Sequence, residues 1–143
     1  MKIDGPFGSG LKSEHYAEAG VRVVRLQNIK SGSFDGADAA YIGQEYFDAE
    51  LARHSVRSGD LLVAGLGDER NEVGRACVAP EGIAPAMVKA DCFRFRLTQA
   101  VLASFVAYQL SAGAAFAAGT MSSGSTRSRI PLSVMANRVL ALP

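Results

Sequence analysis

Asp91-Cys-Phe-Arg-Phe-Arg-Leu97, followed directly by the segment from Thr98 to Ala112, decides the fold class of this chain. In the first stretch Phe93, Phe95 and Leu97 alternate with Arg94 and Arg96, the two-residue period of a β-strand whose successive side chains point to opposite faces. The alternation predicts one face packed into a core and the other, carrying both arginines, turned to solvent or to a ligand. In the second stretch the period changes. Val101, Leu102, Phe105, Val106, Gln109 and Leu110 recur at spacings of three and four, and Thr98 stands where a cap belongs, which predicts a helix.

Upstream, Ser58-Gly59-Asp60 is a turn into Leu61-Leu-Val-Ala-Gly-Leu66, a continuous apolar run of strand length that implies burial on both faces. Gly67 to Asn71 reads as a polar loop, Val73 to Ala79 as a strand, and Pro80 to Pro85 as the turn after it. Val21 to Leu26 and Ala40 to Ile42 are further strands, with a loop or hairpin tip over Ser31 to Ala39 and a short helix near Glu45 to Arg53. The turn-rich opening, Gly5 to Ser13, leads to a short helix capped by Ser13 and ended by Gly20. After Gly113 comes an alanine-rich turn of helix, then a loop, then a brief helical turn from Leu132 and an apolar strand, Val139 to Leu142. Short strands around one main helix predict a single α+β domain over residues 1–143, built on a curved, mostly antiparallel or mixed sheet with long loops.

The composition sets limits on function. With 143 residues, 48% of them hydrophobic, the chain can bury a core. It has no membrane-length apolar run and no signal segment, so a cytoplasmic protein is expected. Cys77 and Cys92 lie in strands without zinc-ligand spacing and read as buried thiols. The net charge of +1 argues against coating nucleic acid by bulk electrostatics, but it is unevenly split, −3 over residues 1–71 and +4 over 72–143. Catalytic patterns are missing. His15 and His54 are far apart and read as surface residues, no serine sits in a nucleophile elbow, and Gly65-Leu-Gly67 lacks the rest of a dinucleotide fingerprint. No cofactor or metal is expected, and the Asn/Asp-Pro-Pro-aromatic signature of methyl transfer does not occur.

Binding chemistry concentrates in Gly119-Thr-Met-Ser-Ser-Gly-Ser-Thr-Arg-Ser-Arg-Ile-Pro-Leu-Ser133. There Ser123, Ser125 and Thr126 offer hydroxyls to phosphate oxygens, Gly124 permits close backbone approach, and Arg127 and Arg129 offer charged forks to phosphate or guanine. Equally, hydroxyls and glycine are what a tight turn into Pro131 requires. Lys12 and Ser13, beside a helix start, form a second anion candidate, against a plain cap and a solvated lysine. Arg94 and Arg96 form a third, against pairing with Asp91 or Glu81. The loops Ser31 to Asp38 and Gly67 to Asn71 are candidate base readers. Gln27, Asn28 and Asn71 suit adenine edges, while Asn28 also suits turn hydrogen bonds at its strand end.

Three blocks together resemble the target recognition domain of the specificity subunit of type I restriction-modification systems. Gly5-Pro-Phe-Gly-Ser-Gly-Leu-Lys-Ser-Glu-His-Tyr16, leading to Gly20-Val-Arg-Val-Val-Arg-Leu-Gln-Asn-Ile29, is similar to the family's opening block. Gly59-Asp-Leu-Leu-Val-Ala64 with Gly74-Arg-Ala-Cys-Val78 is similar to its central strand and partner. Gly124-Ser-Thr-Arg-Ser-Arg-Ile-Pro-Leu-Ser133, running to Leu140-Ala-Leu-Pro143, is similar to its closing block. Each block is short, and their order and spacing across nearly the whole chain carry the resemblance. It implies a non-enzymatic reader of double-stranded DNA, with methyl transfer and cleavage on separate methyltransferase and restriction subunits. The family's long helices, which dock the methyltransferase, are not in this sequence. Two copies pairing about a two-fold axis would rebuild a two-domain reader of a palindromic site. The alternative is a protein-interaction or assembly module on the same scaffold without DNA affinity.

Overall fold

The computed structural model describes residues 1–98, 100–112 and 129–141, and they form an α+β fold. The strands are β1 (Lys2–Ile3), β2 (Tyr16–Ala17), β3 (Val21–Val24), β4 (Ile29–Lys30), β5 (Ser33–Phe34), β6 (Tyr41–Ile42), β7 (Ser55–Val56), β8 (Leu61–Ala64), β9 (Ala76–Val78), β10 (Ala86–Val88) and β11 (Cys92–Phe95). The helices are α1 (Gln44–Tyr46), extended by π and 3-10 turns to His54, α2 (Ala100–Ala112) and α3 (Leu132–Ala141). One sheet runs β1-β11-β8-β9, all antiparallel. The other runs β2-β6-β3-β10-β7 and is mixed, with β3 and β10 parallel; β4 and β5 make a separate hairpin.

Side-chain alternation explains the layering. Leu61 and Val63 of β8, with Phe93 and Phe95 of β11, join Val106, Ala107 and Leu110 of α2 and Met135, Ala136 and Val139 of α3 in one core. From the opposite faces of the same strands, Leu62, Ala64 and Cys92 meet Val24, Val56, Ala86 and Val88 in a second core between the sheets. Val21, Val23 and Met87 point the other way and pack with Ile42, Phe47 and Leu51 in a third. Apolar burial on both sides of β8 is what its continuous hydrophobic run predicted.

Four expectations need correcting. Strand β11 is buried on both faces, because the second sheet covers the side that carries Arg94, which is 2% exposed. Residues Val139 to Ala141 belong to helix α3 rather than a strand: Pro131 precedes its first turn, the Met135 N–H donates to the Pro131 carbonyl at 3.1 Å, and Met135, Ala136 and Val139 are buried at helical spacing. Ser13 begins a 3-10 turn of three residues, Ser13 to His15, that gives way to β2 instead of continuing as a helix. Finally, α2 is rotated from the predicted stripe: Ala103, Val106, Ala107 and Leu110 are buried while Phe105 is 47% exposed. Small residues at 103 and 107 let the helix lie close to the sheet, and the Ser111 hydroxyl fixes it there by exchanging hydrogen bonds with the backbone of Ala76. No helix among the described residues is long and apolar enough to cross a membrane.

Candidate nucleic-acid interface

Residues in or next to the opening, central and closing blocks converge around Asp91, at the turn between β10 and β11. Asp91 holds a left-handed backbone, φ 64°, a conformation that aspartate tolerates better than most side chains. Its N–H donates to Asp4 Oδ1 at 2.8 Å, and Gly5 N–H donates to the same oxygen at 2.7 Å. Gly5 must be glycine, since a Cβ there would overlap the Lys89–Ala90 peptide. Just past the first half of the central block, the Gly65 N–H donates to the Asp91 carbonyl at 2.8 Å, and the Gly65 carbonyl accepts from the Ile130 N–H at 2.9 Å. From the closing block, Arg129 bridges to Leu66, puts its guanidinium 3.2 Å from Asp91 Oδ1, and lies 6.0 Å from the Phe7 ring centroid. Its side chain remains 47% exposed.

Beside this junction run two adjoining hollows with a shared wall of Leu26, Gln27 and Leu66. One, about 290 Å³, continues over Arg25, Lys89 and Asp91; the other, about 160 Å³, continues over Asp68, Asn71 and Arg75. Arg75 is 4% exposed, and its ligands are all backbone carbonyls: Nε donates to Ile29 at 2.6 Å, Nη1 to Leu66 at 3.1 Å and Glu72 at 2.9 Å, and Nη2 to Leu26 at 2.9 Å. One guanidinium thereby ties together both walls of the groove. Burial pulls its pKa below the usual arginine value, with Asp68 opposing. Asp68 closes the loop above by accepting the Arg70 and Asn71 N–H groups, each at 2.8 Å, and these bonds hold its carboxyl below the usual carboxylate range.

On the opposite lip the side chains form a chain of contacts. Arg25 Nη2 donates to Asp38 Oδ1 at 2.7 Å, and Gln27 Nε2 donates to Asp38 Oδ2 at 2.6 Å. Asn28, fully buried, makes the turn bonds expected of it, donating to the carbonyls of Asp35 and Asp38 and accepting from the Arg25 N–H.

The arginines singled out from the alternation are both engaged within the fold. Arg94 is buried between the sheets, where Nη2 donates to the Arg53 carbonyl at 3.1 Å. Arg96 forms a two-pronged pair with Asp60, both contacts 2.8 Å, and the Asp60 side chain is 4% exposed. The partner is Asp60, not Asp91 or Glu81. Sequence reasoning missed it because the two residues meet only through the pairing of β8 with β11. Lys12 and Ser13 are exposed, but the Lys12 N–H is taken by His15 Nδ1 at 2.9 Å, and the His15 ring stacks on Tyr46 at 4.0 Å. No hydrogen bond or ion pair among the described residues joins them to the groove. Ser123, Gly124, Ser125, Thr126 and Arg127 lie outside the described residues. Asn71 lines the smaller hollow.

His54, expected at the surface, is 4% exposed. Its Nδ1–H donates to the Asp4 carbonyl at 2.8 Å while Nε2 accepts from Arg53 Nε at 3.1 Å, and burial lowers the ring's pKa below the usual histidine value. Cys77 and Cys92 are buried free thiols, as expected; burial pushes Cys77 up to about 12 and Cys92 higher still. Arg75 and Lys89 carried no sequence signal of a site, because their places depend on which loops the two sheets bring together. No protein-family model matches the chain, and no curated protein matches it.

Proposed function

We propose that this chain binds double-stranded DNA in a sequence-specific manner, as a recognition domain without chemistry of its own. The observation that supports the reading best is that residues in or next to the three blocks that carry the resemblance converge around Asp91, beside a groove lined by Arg25, Gln27, Asn71 and Lys89. The groove supplies what duplex recognition needs: cations for phosphates, and amides for base edges. Methyl transfer and cleavage would fall to partner subunits in the cytoplasm, where two copies of this chain would read the two halves of a palindrome.

A specific observation favours the runner-up, a protein-interaction module. On the outer face of α2, Phe105 is 47% and Tyr108 69% exposed, beside a hollow lined by Gly32, Val78 and Ser104. Fluorescence anisotropy on a labelled random duplex, over a series of salt concentrations, separates the two. The DNA reading expects retention that weakens with salt, and a salt slope smaller by about one in Lys89→Ala and in Arg129→Ala. No retention at low salt would overturn it in favour of the interaction module.

A further inference from the structure

On the reading that the groove takes DNA, we infer that Gln27 is the side chain that reads a base there, an adenine edge, and that Asp38 is the residue that positions it. Gln27 is exposed, and it stands on the wall common to both hollows, so a base edge entering either one passes it. A glutamine matches the major-groove edge of adenine by offering one N–H to N7 and one carbonyl oxygen to the N6 amino group. Gln27 Nε2 has two hydrogens. One is engaged by Asp38 Oδ2 at 2.6 Å, which leaves the second, and the carbonyl oxygen, for a ligand.

A free glutamine loses much rotamer freedom on binding, and this one is held in advance. The anchor is itself fixed from several directions. Asp38 Oδ1 accepts from Arg25, and the Asp38 carbonyl accepts from the buried Asn28 amide at 2.7 Å and from Arg22 Nη2 at 3.3 Å. Asp38 is also charge-balanced by Arg25, so it presents no bare carboxylate to a phosphate backbone. Asp38 is thus held from both its carboxylate and its carbonyl, and Gln27 keeps one N–H and its carbonyl oxygen unengaged beside the groove.

The test is selection of bound sites from a randomised duplex pool with the wild type, Gln27→Ala, Gln27→Glu and Asp38→Asn, each verified as folded by its thermal melt. The wild type should yield a motif with an adenine at one position. Gln27→Ala should lose preference at that position alone, with affinity for the wild-type site down by on the order of tenfold to a hundredfold. Gln27→Glu should move the preference there toward cytosine, whose amino group donates to a carboxylate. Asp38→Asn should blur the same position and no other. A motif that survives Gln27→Ala unchanged, or one that degrades at every position alike, overturns the role of Gln27 while leaving DNA binding intact. Failure of the wild type to retain any duplex overturns the DNA reading and this inference with it.

Discussion

Replacing Arg75 by methionine tests how the groove is held. The substitution keeps much of the side chain's length and removes its four donated hydrogen bonds, to Leu26, Ile29, Leu66 and Glu72. Hydrogen bonds from a charged donor contribute about 1.5–3 kcal/mol each, but only carbonyls sealed from water pay the whole loss. Ile29 is fully buried, Leu26 and Leu66 are half-buried and Glu72 is exposed, so water can replace the partner at three of the four. Relief of the buried charge offsets a further part, because among the described residues no carboxylate forms an ion pair with Arg75. The net expectation is a destabilisation of about 2–4 kcal/mol, read from urea unfolding midpoints at constant slope. Arg75→Lys should recover less than half, since a single ammonium cannot reach carbonyls spread around a planar fork. If Arg75→Met unfolds within about 0.5 kcal/mol of the wild type, the carbonyl cage does not hold the walls together, and the groove must be maintained by the cores alone.

Three further outcomes follow from the buried polar groups. Burial raises the Asp4 carboxyl to about 6, against two backbone N–H bonds that lower it, so the folded state binds the proton more tightly than the unfolded chain; stability therefore falls as pH rises from about 4 through 6. After solvent screening at a half-buried group the swing is about 1–2 kcal/mol, and Asp4→Asn should flatten that part of the pH–stability curve. Asp60→Asn should destabilise more than Arg96→Met, by about 3–5 kcal/mol, because Asp60 also accepts the Arg57 N–H at 2.8 Å and is the carboxylate facing buried Arg94; a double-mutant cycle with Arg96 measures their coupling. Cys77 and Cys92 should resist a thiol reagent in the folded protein and react together in denaturant, and rapid labelling of either without denaturant would contradict their burial.

The fold was legible wherever one layer decided the pattern. The continuous run in β8 and the helical spacing after Thr98 both announce their elements, and the turns at Ser58–Asp60 and Pro80–Pro85 fall where glycine and proline put them. Legibility failed where two layers compete for one segment. Strand β11 alternates like a half-exposed strand, but the mixed sheet packs onto its polar side and buries Arg94, whose Nη2 donates to the Arg53 carbonyl. Strands β1, β7 and β10 are each two or three residues long and carry no periodicity to detect; they exist because neighbours supply the ladder. For the site, Gln27, Asn71 and Arg129 could be named from chemistry, since exposed amides and arginines in loops advertise themselves. Arg75 and Lys89 could not, because their importance lies in which chain segments surround them.

The distribution of charge around the groove bears on what kind of binder this is. Arg25 is matched by Asp38 and Arg129 by Asp91, while Arg75 is spent on backbone carbonyls. Among the described residues Lys89 is the exposed groove cation with no carboxylate partner; its ammonium lies 5.9 Å from the Tyr16 ring centroid. Such a surface attracts phosphates weakly, so a strong sequence-independent hold on DNA is not expected of it, and its salt dependence should be shallow. Paired guanidiniums are also orientated ones. Arg25 and Arg129 are held by carboxylates that a phosphate can share or replace, and the amide of Gln27 is set by the same carboxylate that holds Arg25. Fixed donors at a near-neutral groove favour discrimination over affinity, because a wrong partner forfeits hydrogen bonds that no bulk attraction makes good.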